Sequence, residues 1–276
     1  MPYVTRDELV AEFQDTMSFC DKNPILRDAV ENTNARTKVY SVDFAEEVSV
    51  KKAGKVRVSE GRTFKEALKL HEEFPDKRIA VLNFAASGTP GGGVENGAYA
   101  QEESLCRCST LYLSLRSDAA KGFYSYHHNS CGWAASDTCI YSPDVVVCRD
   151  DADLLCERLR PEEFMKVDVI TCAAPHLFGN IVIKAEDLLA MHVRRARNIL
   201  RVCAYNGADI FVGGAFGCGA FHNDPCIVAW AWREALKEYG EKFELIDFVI
   251  YVSDFPAKRP SGESNFLAFR NEFAKA

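Results

Sequence analysis

The chain lacks an excess of basic residues, a long apolar run and a signal-peptide pattern. Its net charge is −7, with 33 Lys and Arg residues against 40 Asp and Glu residues, which argues against a protein that binds nucleic acid through a basic surface. No apolar run approaches the roughly 18 residues of a membrane span, and the first residues lack a basic start and apolar stretch. We therefore expect no DNA partner and no membrane attachment.

Paired cysteine motifs, linkers and repeats are also missing. The eleven cysteines are scattered, with no C-x-x-C pair, a pattern typical of reduced thiols in an intracellular protein. No Pro/Gly/Ser-rich linker divides the 276 residues. We expect a single catalytic domain over residues 1–276, with residues 1–35 as an N-terminal helical extension. We further expect a monomer in the cytoplasm, or in the nucleus of a eukaryotic cell.

A strand, a glycine loop and a helix follow one another in the first half of the chain. Residues 79–86 form an apolar run typical of a buried strand. The three glycines at 91–93 give the backbone access to left-handed dihedrals and to close approach by a ligand, and residues 105–115 show helical spacing. Because helix N-termini attract anions, this loop is predicted to cradle a phosphate or pyrophosphate, with Asn83 beside it.

A second unit of the same kind lies near the C-terminus. Residues 209–215 read as a strand, and a glycine-containing loop follows them. Asp224 is then a predicted N-cap and Pro225 the first residue of a helix, which is expected to end at Tyr239. Two glycine loops between strand ends and helix starts suit a ligand with two phosphates at the carboxyl edge of an α/β sheet.

Two familiar nucleotide-binding motifs do not fit these loops. A dinucleotide fingerprint requires G-x-G-x-x-G, but the last position is His222 when counted from Gly217 and Asn96 when counted from Gly91. A P-loop requires Gly-Lys followed by Ser or Thr, and neither glycine loop is followed by that triplet.

Glu102 and Glu103 are two adjacent carboxylates near the start of the helix that follows the first glycine loop. They come directly after Gln101 in the sequence. Paired carboxyl groups can supply acid and base for cleavage of a glycosidic bond. Neighbouring helical residues do not share a face, so the two are expected to have different roles. The alternative is that they only complement the positive N-terminus of the helix.

Four motifs together carry a family resemblance. They are VLNFA, GGG, QEE beginning eight residues after the last of these glycines, and GCGAF, in that order. The combination resembles the macrodomain-type poly(ADP-ribose) glycohydrolases, in their short microbial form. The segments YSPDVVVCRDD at 141–151 and VITCAAPH at 169–176 are also similar to that subfamily, so the resemblance extends over roughly residues 35–275.

The resemblance implies an α/β fold, a three-layer α/β/α macrodomain-like sandwich with a mixed central sheet, which agrees with the alternation of strands and helices. It implies an enzyme that releases ADP-ribose from polymer ends or modified proteins without a cofactor or metal. Glu103 would be the general acid, and Glu102 would bind ribose hydroxyls. The implied substrate-binding residues are Asn83, Gly91, Gly92, Gly93, Gln101, Gly217, Cys218, Gly219, Ala220 and Phe221.

Roles within that set also follow from the resemblance. Asn83 would bind the distal ribose, the first glycine loop would lie beside it, and Gly217 to Phe221 would wrap the pyrophosphate with backbone amides. Phe221 would pack on the distal ribose, with core packing as the alternative. The chain departs from the family at His176, where many members have Asn, and at His222, where a small residue is common.

Other functions and residues remain open at this point. The bond cleaved could be the N-glycosidic bond of ADP-ribosylated arginine, or the chain could bind ADP-ribose without cleaving it. Cys218 is interpreted as a small buried residue rather than a nucleophile. His127, His128 and Cys131 lack a second ligand pair for a metal, and three arginines of the helix over 185–205 are predicted to be solvated: Arg194, Arg195 and Arg197.

The remaining segments have coarse assignments. The spacing predicts helices over 5–20, 64–71, 185–205 and 265–274, and strands over 38–44, near 145, over 167–173 and over 245–253. Residues 48–58 are predicted to form a strand or a hairpin that turns at Gly54. Residues 124–141 are assigned only as a polar aromatic segment.

Overall fold

The computed structural model describes residues 4–45, 47–179, 181–252 and 264–274. This part of the chain forms one seven-stranded sheet with α-helices on both faces. The strands are β1 (Lys38–Tyr40), β2 (Lys55–Glu60), β3 (Ile79–Phe84), β4 (Cys139–Val147), β5 (Met165–Cys172), β6 (Ile210–Gly213) and β7 (Leu245–Ile250). The helices are α1 (Arg6–Lys22), α2 (Pro24–Arg36), α3 (Thr63–Glu73), α4 (Gln101–Cys108), α5 (Leu111–Leu115), α6 (Lys121–Ser130), α7 (Ala185–Tyr205), α8 (Pro225–Tyr239) and α9 (Asn265–Phe273).

The strand order is β1-β4-β5-β3-β6-β7-β2. Strands β5, β3, β6, β7 and β2 pair in parallel, whereas β4 pairs antiparallel with both β1 and β5. The sheet is therefore mixed, as predicted. Because β5, β3 and β6 are parallel neighbours, the loops that leave their carboxyl ends meet at one edge of the sheet.

Alternate residues of β3 face opposite layers, as the two-residue period of a strand requires. Ile79 and Val81 pack with residues of α1 and α3 to α6, whereas Ala80 and Leu82 pack with residues of α7 to α9. The predicted three-layer α/β/α sandwich is confirmed. Within the described ranges, no helix is both long and apolar enough to cross a membrane.

Several predicted boundaries are confirmed by capping contacts. Helix α7 spans the predicted residues, and α8 begins at Pro225, with the Asp224 side chain accepting a hydrogen bond from the Cys226 amide at 2.9 Å. At α1, Thr5 and Glu8 form a reciprocal capping box. Helix-capping contacts of this kind can be predicted from a single sequence because both partners lie within one helical turn.

The hairpin predicted for residues 48–58 is wrong. Only β2 is a strand in this region, and it pairs in parallel with β7. The preceding arm binds elsewhere: the Lys52 amide donates to Glu241 O at 2.6 Å and the Gly54 amide to Phe243 O at 2.9 Å. Long-range backbone partners therefore replace the local turn that Gly54 indicated.

Other differences are smaller. Strand β1 ends at Tyr40, and residues 42–43 form a turn instead of continuing it. The predicted N-terminal extension contains a second helix, α2, with Asn23 as its N-cap. Helix α6 occupies part of the segment that the sequence indicates only as polar and aromatic. The end of the strand predicted over 245–253 reaches Ser253, which lies outside the described residues.

Helix α1 is packed against the helix that carries the two adjacent glutamates. Thr16 Oγ1 donates to the Arg107 carbonyl of α4 at 2.7 Å, and Glu12 forms an ion pair with Arg107 at 3.0 Å. At the other end of α1, a Cβ on Gly97 would lie 2.4 Å from the Arg6 carbonyl oxygen. The N-terminal helix therefore fixes both the loop before α4 and α4 itself.

One of the three arginines predicted to be solvated is buried. Arg195 donates from Nη1 to Ala173 O and from Nη2 to Ala134 O, both at 2.9 Å, and its side chain is 1% exposed. Arg194 and Arg197 are about half exposed, as expected. A buried guanidinium has five donors for fixing carbonyl groups, and here it ties the loop after β5 to the segment before β4.

Candidate active site

Gln101 fixes the start of α4 to strand β3. Its side-chain oxygen accepts from the Phe84 amide at 2.9 Å, and its Nε2 donates to Leu82 O at 2.7 Å and to Thr63 Oγ1 at 3.1 Å. The oxygen and the nitrogen of the Gln101 side-chain amide therefore bind the backbone of β3, and the nitrogen also binds the Thr63 hydroxyl of α3. These contacts support a positioning role, while substrate binding by Gln101 stays a prediction.

Asn83 projects from β3 towards the same helix. It is fully buried, and its Nδ2 donates to Glu102 Oε1 and to Thr171 Oγ1, each at 3.2 Å. Its Oδ1 is buried without a hydrogen-bond partner among the described residues. Buried polar atoms are nearly always paired, so this orphan acceptor marks a place where a ligand hydroxyl can donate.

The glycine loop wraps closely around the two glutamates. A Cβ on Gly92 would lie 2.3 Å from Glu103 Oε1 and 3.0 Å from Glu102 Oε2, and Gly92 has a φ of +59°. Gly91 has a φ of +71°, and its Cβ would lie 2.6 Å from the Tyr112 ring. Only residues without a side chain allow this backbone to pass so close to both carboxylates.

Glu103 has one oxygen bound and one oxygen unused. Its Oε1 accepts from the Gly93 amide at 2.9 Å, whereas Oε2 is buried and has no partner in the described part of the chain. The side chain is 7% exposed. One oxygen is thus held in place while the other is able to meet a ligand atom, and a general acid must come within hydrogen-bond reach of the atom that it protonates.

Glu102 is held more tightly. Its Oε2 accepts from the Ala86 amide at 2.7 Å, and its Oε1 accepts from Asn83. Burial raises the pKa of Glu102 to about 8, the charge of Glu103 adds to this shift, and hydrogen bonds from the Ala86 amide, Asn83 and the Gly91 amide oppose it. In the free protein at neutral pH, Glu102 therefore carries a proton.

This pKa predicts a pH-dependent stability. The folded-state value of about 8 lies above the ordinary value of 4.5, so protonated Glu102 stabilises the fold below pH 4.5, and this contribution is lost as the pH rises through 8. At about 1.4 kcal/mol per unit, the loss between pH 5 and pH 8 is on the order of 3 kcal/mol.

Thermal unfolding of wild type and Glu102→Gln from pH 5 to pH 8 tests this expectation. Glutamine does not ionise, so the variant should gain stability relative to wild type as the pH rises. Melting temperatures that differ by the same amount at every pH would contradict a raised pKa of Glu102.

The first loop is not the phosphate cradle that the sequence predicted from its glycines and helix. The Gly92 amide donates to Thr89 O at 3.0 Å and the Gly93 amide to Glu103. Amides that already bind carboxylates and carbonyls do not neutralise a phosphate. The proximity of Gly91 to Gly93 to a ribose, which the resemblance implies, stays a prediction.

The second loop has the properties expected of an anion site. The amides of Gly217, Gly219, Ala220 and Phe221 donate to no oxygen among the described residues. Gly217 has a φ of +75°, and its Cβ would lie 2.5 Å from the Ala174 Cβ. Successive unpaired amides in a tight loop attract anions without Lys or metal.

The buried Asn223 shapes this loop. The sequence did not indicate that this residue has a functional role. Asn223 Nδ2 donates to Pro175 O at 2.7 Å and to Gly217 O at 3.0 Å, and Oδ1 accepts from His192 Nε2 at 2.9 Å. Burial lowers the pKa of His192 to about 4, so the imidazole is neutral. The sequence offered only the Asn-Asp-Pro helix start as a signal, which does not indicate these long-range contacts.

Cys218 and Phe221 have different positions within the second loop. Cys218 is fully buried, as its interpretation as a small buried residue requires. Phe221 is partly buried, and its ring packs edge-on against His176 at 4.7 Å between centroids. Phe221 thus lies at the border between core and surface, where one side of its ring can face a ligand.

A buried tyrosine close to Glu102 was also missed. Tyr124 of α6 is 8% exposed, and its hydroxyl is buried without a partner among the described residues. Burial and then the charge of Glu102 raise its pKa. The helical spacing of Phe123, Tyr124 and His127 was the available signal.

Both ring nitrogens of His127, the first histidine of the pair in α6, are hydrogen-bonded within the protein. His127 is bonded through Nδ1 to Phe123 O at 2.8 Å and through Nε2 to Ser136 Oγ at 3.0 Å. Elsewhere in the described ranges, Cys108, Asp151 and Cys156 form the only cluster with ligand spacing. In this cluster, Asp151 accepts hydrogen bonds from Arg62, Ser104 and the Phe64 amide. Both of its carboxylate oxygens are therefore already hydrogen-bonded within the protein.

Comparison with known proteins agrees with this geometry. A model of the microbial-type PARG catalytic domain matches residues 13–150. The chain belongs to the microbial-type poly(ADP-ribose) glycohydrolase (PARG) family. The resemblance drawn from its motifs is therefore confirmed, and the candidate site consists of the segments that carry those motifs. No curated protein matches the chain.

Solved structures of PARG extend the match beyond residue 150. The crystal structure of PARG from Thermomonospora curvata is 30% identical, with a TM-score of 0.81 over 97% of this chain and 100% of that chain; the same values hold for its complex with the inhibitor ADP-HPD. PARG from Deinococcus radiodurans in complex with ADP-ribose is 31% identical, with a TM-score of 0.75 over 89% of this chain and 97% of that chain.

Proposed function

We propose that this chain hydrolyses the glycosidic bond of ADP-ribose at the ends of poly(ADP-ribose) or on modified proteins and releases ADP-ribose. The observation that carries the proposal is the state of Glu103, with one oxygen fixed by the Gly93 amide and the other buried and unpaired. The solved relatives bind ADP-ribose and an inhibitor named ADP-HPD, which supports the same ligand class here.

The distribution of contacts suggests how the ligand lies. The unpaired amides of the second loop suit a pyrophosphate, and the orphan acceptor of Asn83 suits a ribose hydroxyl. Because β3 and β6 are adjacent, the two groups would lie on neighbouring strand ends. ADP-ribose carries a pyrophosphate directly attached to its distal ribose, so one molecule can span both positions.

The chemistry assigns different tasks to the two glutamates. Cleavage of the bond at ribose C1 develops positive charge on the sugar and negative charge on the leaving oxygen. Glu103 would donate a proton to that oxygen through Oε2, then accept a proton from the water that adds to C1. Glu102, held by Asn83 and the Ala86 amide, would accept hydrogen bonds from ribose hydroxyls and orient the sugar.

Binding of ADP-ribose is expected to need no metal. The amides of the second loop can neutralise a pyrophosphate without a cation, and the described residues place no lysine in that loop. Titration calorimetry with ADP-ribose in EDTA should give a clear binding isotherm. Binding that appears only after Mg²⁺ is added would contradict the amide cradle.

The hydrolytic activity is tested by release of free ADP-ribose from a panel of substrates. The panel contains poly(ADP-ribose) and peptides modified on serine, glutamate or arginine. Release from polymer or from the oxygen-linked peptides is the expected result. Release from the arginine-linked peptide alone would show that the enzyme cleaves an N-glycosidic bond instead of the proposed one. Binding of ADP-ribose without release from any substrate would show that the chain is a binding module.

A further inference from the structure

An exposed ring cluster lies beside Phe221 and has no role in the proposed chemistry. It consists of His176, Phe178 and His222, and we call it the aromatic rim. Phe178 is 65% exposed, and its ring centroid lies 5.5 Å from that of His222 and 6.1 Å from that of His176. The His176 ring in turn contacts Phe221.

The rim is built by two loops that are fixed to each other. The Leu177 amide donates to Phe221 O at 2.9 Å, and the His176 amide donates to Trp133 O at 2.7 Å. Beneath them, the buried Asn223 donates to Pro175 O. These bonds hold the loop after β5 against the loop after β6, so the rings do not depend on a flexible surface segment for their position.

His222 adopts a backbone conformation that its side chain disfavours. Its φ is +61°, in the left-handed region where a Cβ crowds the neighbouring carbonyl and glycine is preferred. The chain nevertheless places an exposed imidazole there, in contact with Phe178. Unfavourable backbone at a ligand-facing loop points to a function for the residue that keeps it.

The topology places the rim over the end of β3. Strand β3 lies between β5 and β6, and neighbouring strands are about 4.8 Å apart, so the β5 and β6 loops meet across a width of about 10 Å. Asn83 lies at the end of β3, on the edge that the rim crosses. The rim therefore lies at the same edge of the sheet as the proposed position of the distal ribose.

We infer that the aromatic rim binds the adenine of the ADP-ribose unit on the far side of the scissile bond, that is, the next unit of the polymer. The inference rests on the proposed function. In poly(ADP-ribose) the leaving oxygen belongs to the adenine-bearing ribose of the next unit, so that adenine lies one sugar away from the bond. Aromatic rings stack on any base through its π face, and the imidazoles of the rim add hydrogen-bond donors for the adjoining phosphates.

Binding to a non-hydrolysing variant separates this contact from catalysis. In a Glu103→Gln background, calorimetry compares a two-unit ADP-ribose oligomer with free ADP-ribose. His222→Gly removes a rim ring while relieving the backbone, so loss of fold does not explain an effect, and Phe178→Ala removes the second ring. Trp230→Ala is the matched control, because this α8 side chain is 51% exposed and is not part of the rim.

Each rim variant should weaken oligomer binding by about 5- to 100-fold, which is the range for the loss of one base stack. The Kd for ADP-ribose should stay unchanged in these variants. Trp230→Ala should change neither the oligomer Kd nor the ADP-ribose Kd. Equal oligomer affinity in all variants would overturn the inference while leaving the proposed function intact. A parallel loss for ADP-ribose would place the rim on the terminal unit and overturn it too. Failure of the Glu103→Gln protein to bind ADP-ribose at all would refute the proposed ligand itself.

Discussion

Replacing Glu103 with Gln should lower the rate of ADP-ribose release by about 100- to 10,000-fold while ADP-ribose still binds. Gln keeps the size of the side chain and can still accept the Gly93 hydrogen bond, but it cannot deliver a proton, which is worth about that factor in rate. Release of ADP-ribose under single-turnover conditions and calorimetric Kd values are the measurements.

Glu95→Gln is the matched control for this variant. Glu95 lies in the same loop, but its carboxylate faces Tyr112 and Arg116 at the surface, so its loss should leave the rate near that of wild type. Glu102→Gln should differ from both, with weaker orientation of the ribose as well as slower turnover. Near wild-type release by Glu103→Gln on every substrate would show that Glu103 is not the acid.

The linkage of the substrate changes the expected pattern. An alkoxide leaving group needs protonation, whereas the guanidine that leaves arginine-linked ADP-ribose departs neutral. On an arginine-linked peptide Glu103 would act as a base or by its charge, and its loss should be milder than that of Glu102. The ratio of the two defects on oxygen-linked and arginine-linked peptides therefore reports the bond for which the site is built.

Adding one methyl group at Gly92 should also abolish most activity. In Gly92→Ala the new Cβ would lie 2.3 Å from Glu103 Oε1, on a backbone with a φ of +59°, so the loop or the carboxylates must shift. A displacement of about 1 Å at reacting groups can cost on the order of 100-fold in rate. The measurement is kcat for ADP-ribose release.

Gly88→Ala provides the control within the same loop. A Cβ at Gly88 would have no atom within 4 Å, so its rate should stay within about twofold of wild type. If Gly92→Ala retains wild-type kcat, the loop does not set the positions of the glutamates. Circular dichroism of both variants separates a local shift from loss of fold.

The local parts of the fold were predictable from the sequence. Helices α7 and α8 carry apolar stripes and end at capping or glycine residues, and these signals lie within a few residues of each other. The strand-loop-helix order of the two glycine units also followed from local pattern. Together with the family motifs, this was enough to bring Asn83, Glu102 and Glu103 to one edge of the sheet.

The parts that were not predictable depend on contacts between distant segments. The amides of the first loop bind the glutamates instead of a phosphate, and glycine spacing alone does not distinguish these partners. Asn223 joins two loops, and Arg195 joins the loop after β5 to the segment before β4. Each is a polar residue whose burial arises only once the sheet and helices have assembled.

The most direct test of the account is a crystal structure of Glu103→Gln with ADP-ribose. We expect the exocyclic oxygen at C1 of the distal ribose within about 3 to 3.5 Å of the residue 103 side chain. We expect the pyrophosphate oxygens at about 3 Å from one or more of the amides of Gly217, Gly219, Ala220 and Phe221. Asn83 should hydrogen-bond the same ribose. A pyrophosphate on the first glycine loop, or a distal ribose remote from residue 103, would contradict the proposed catalytic site.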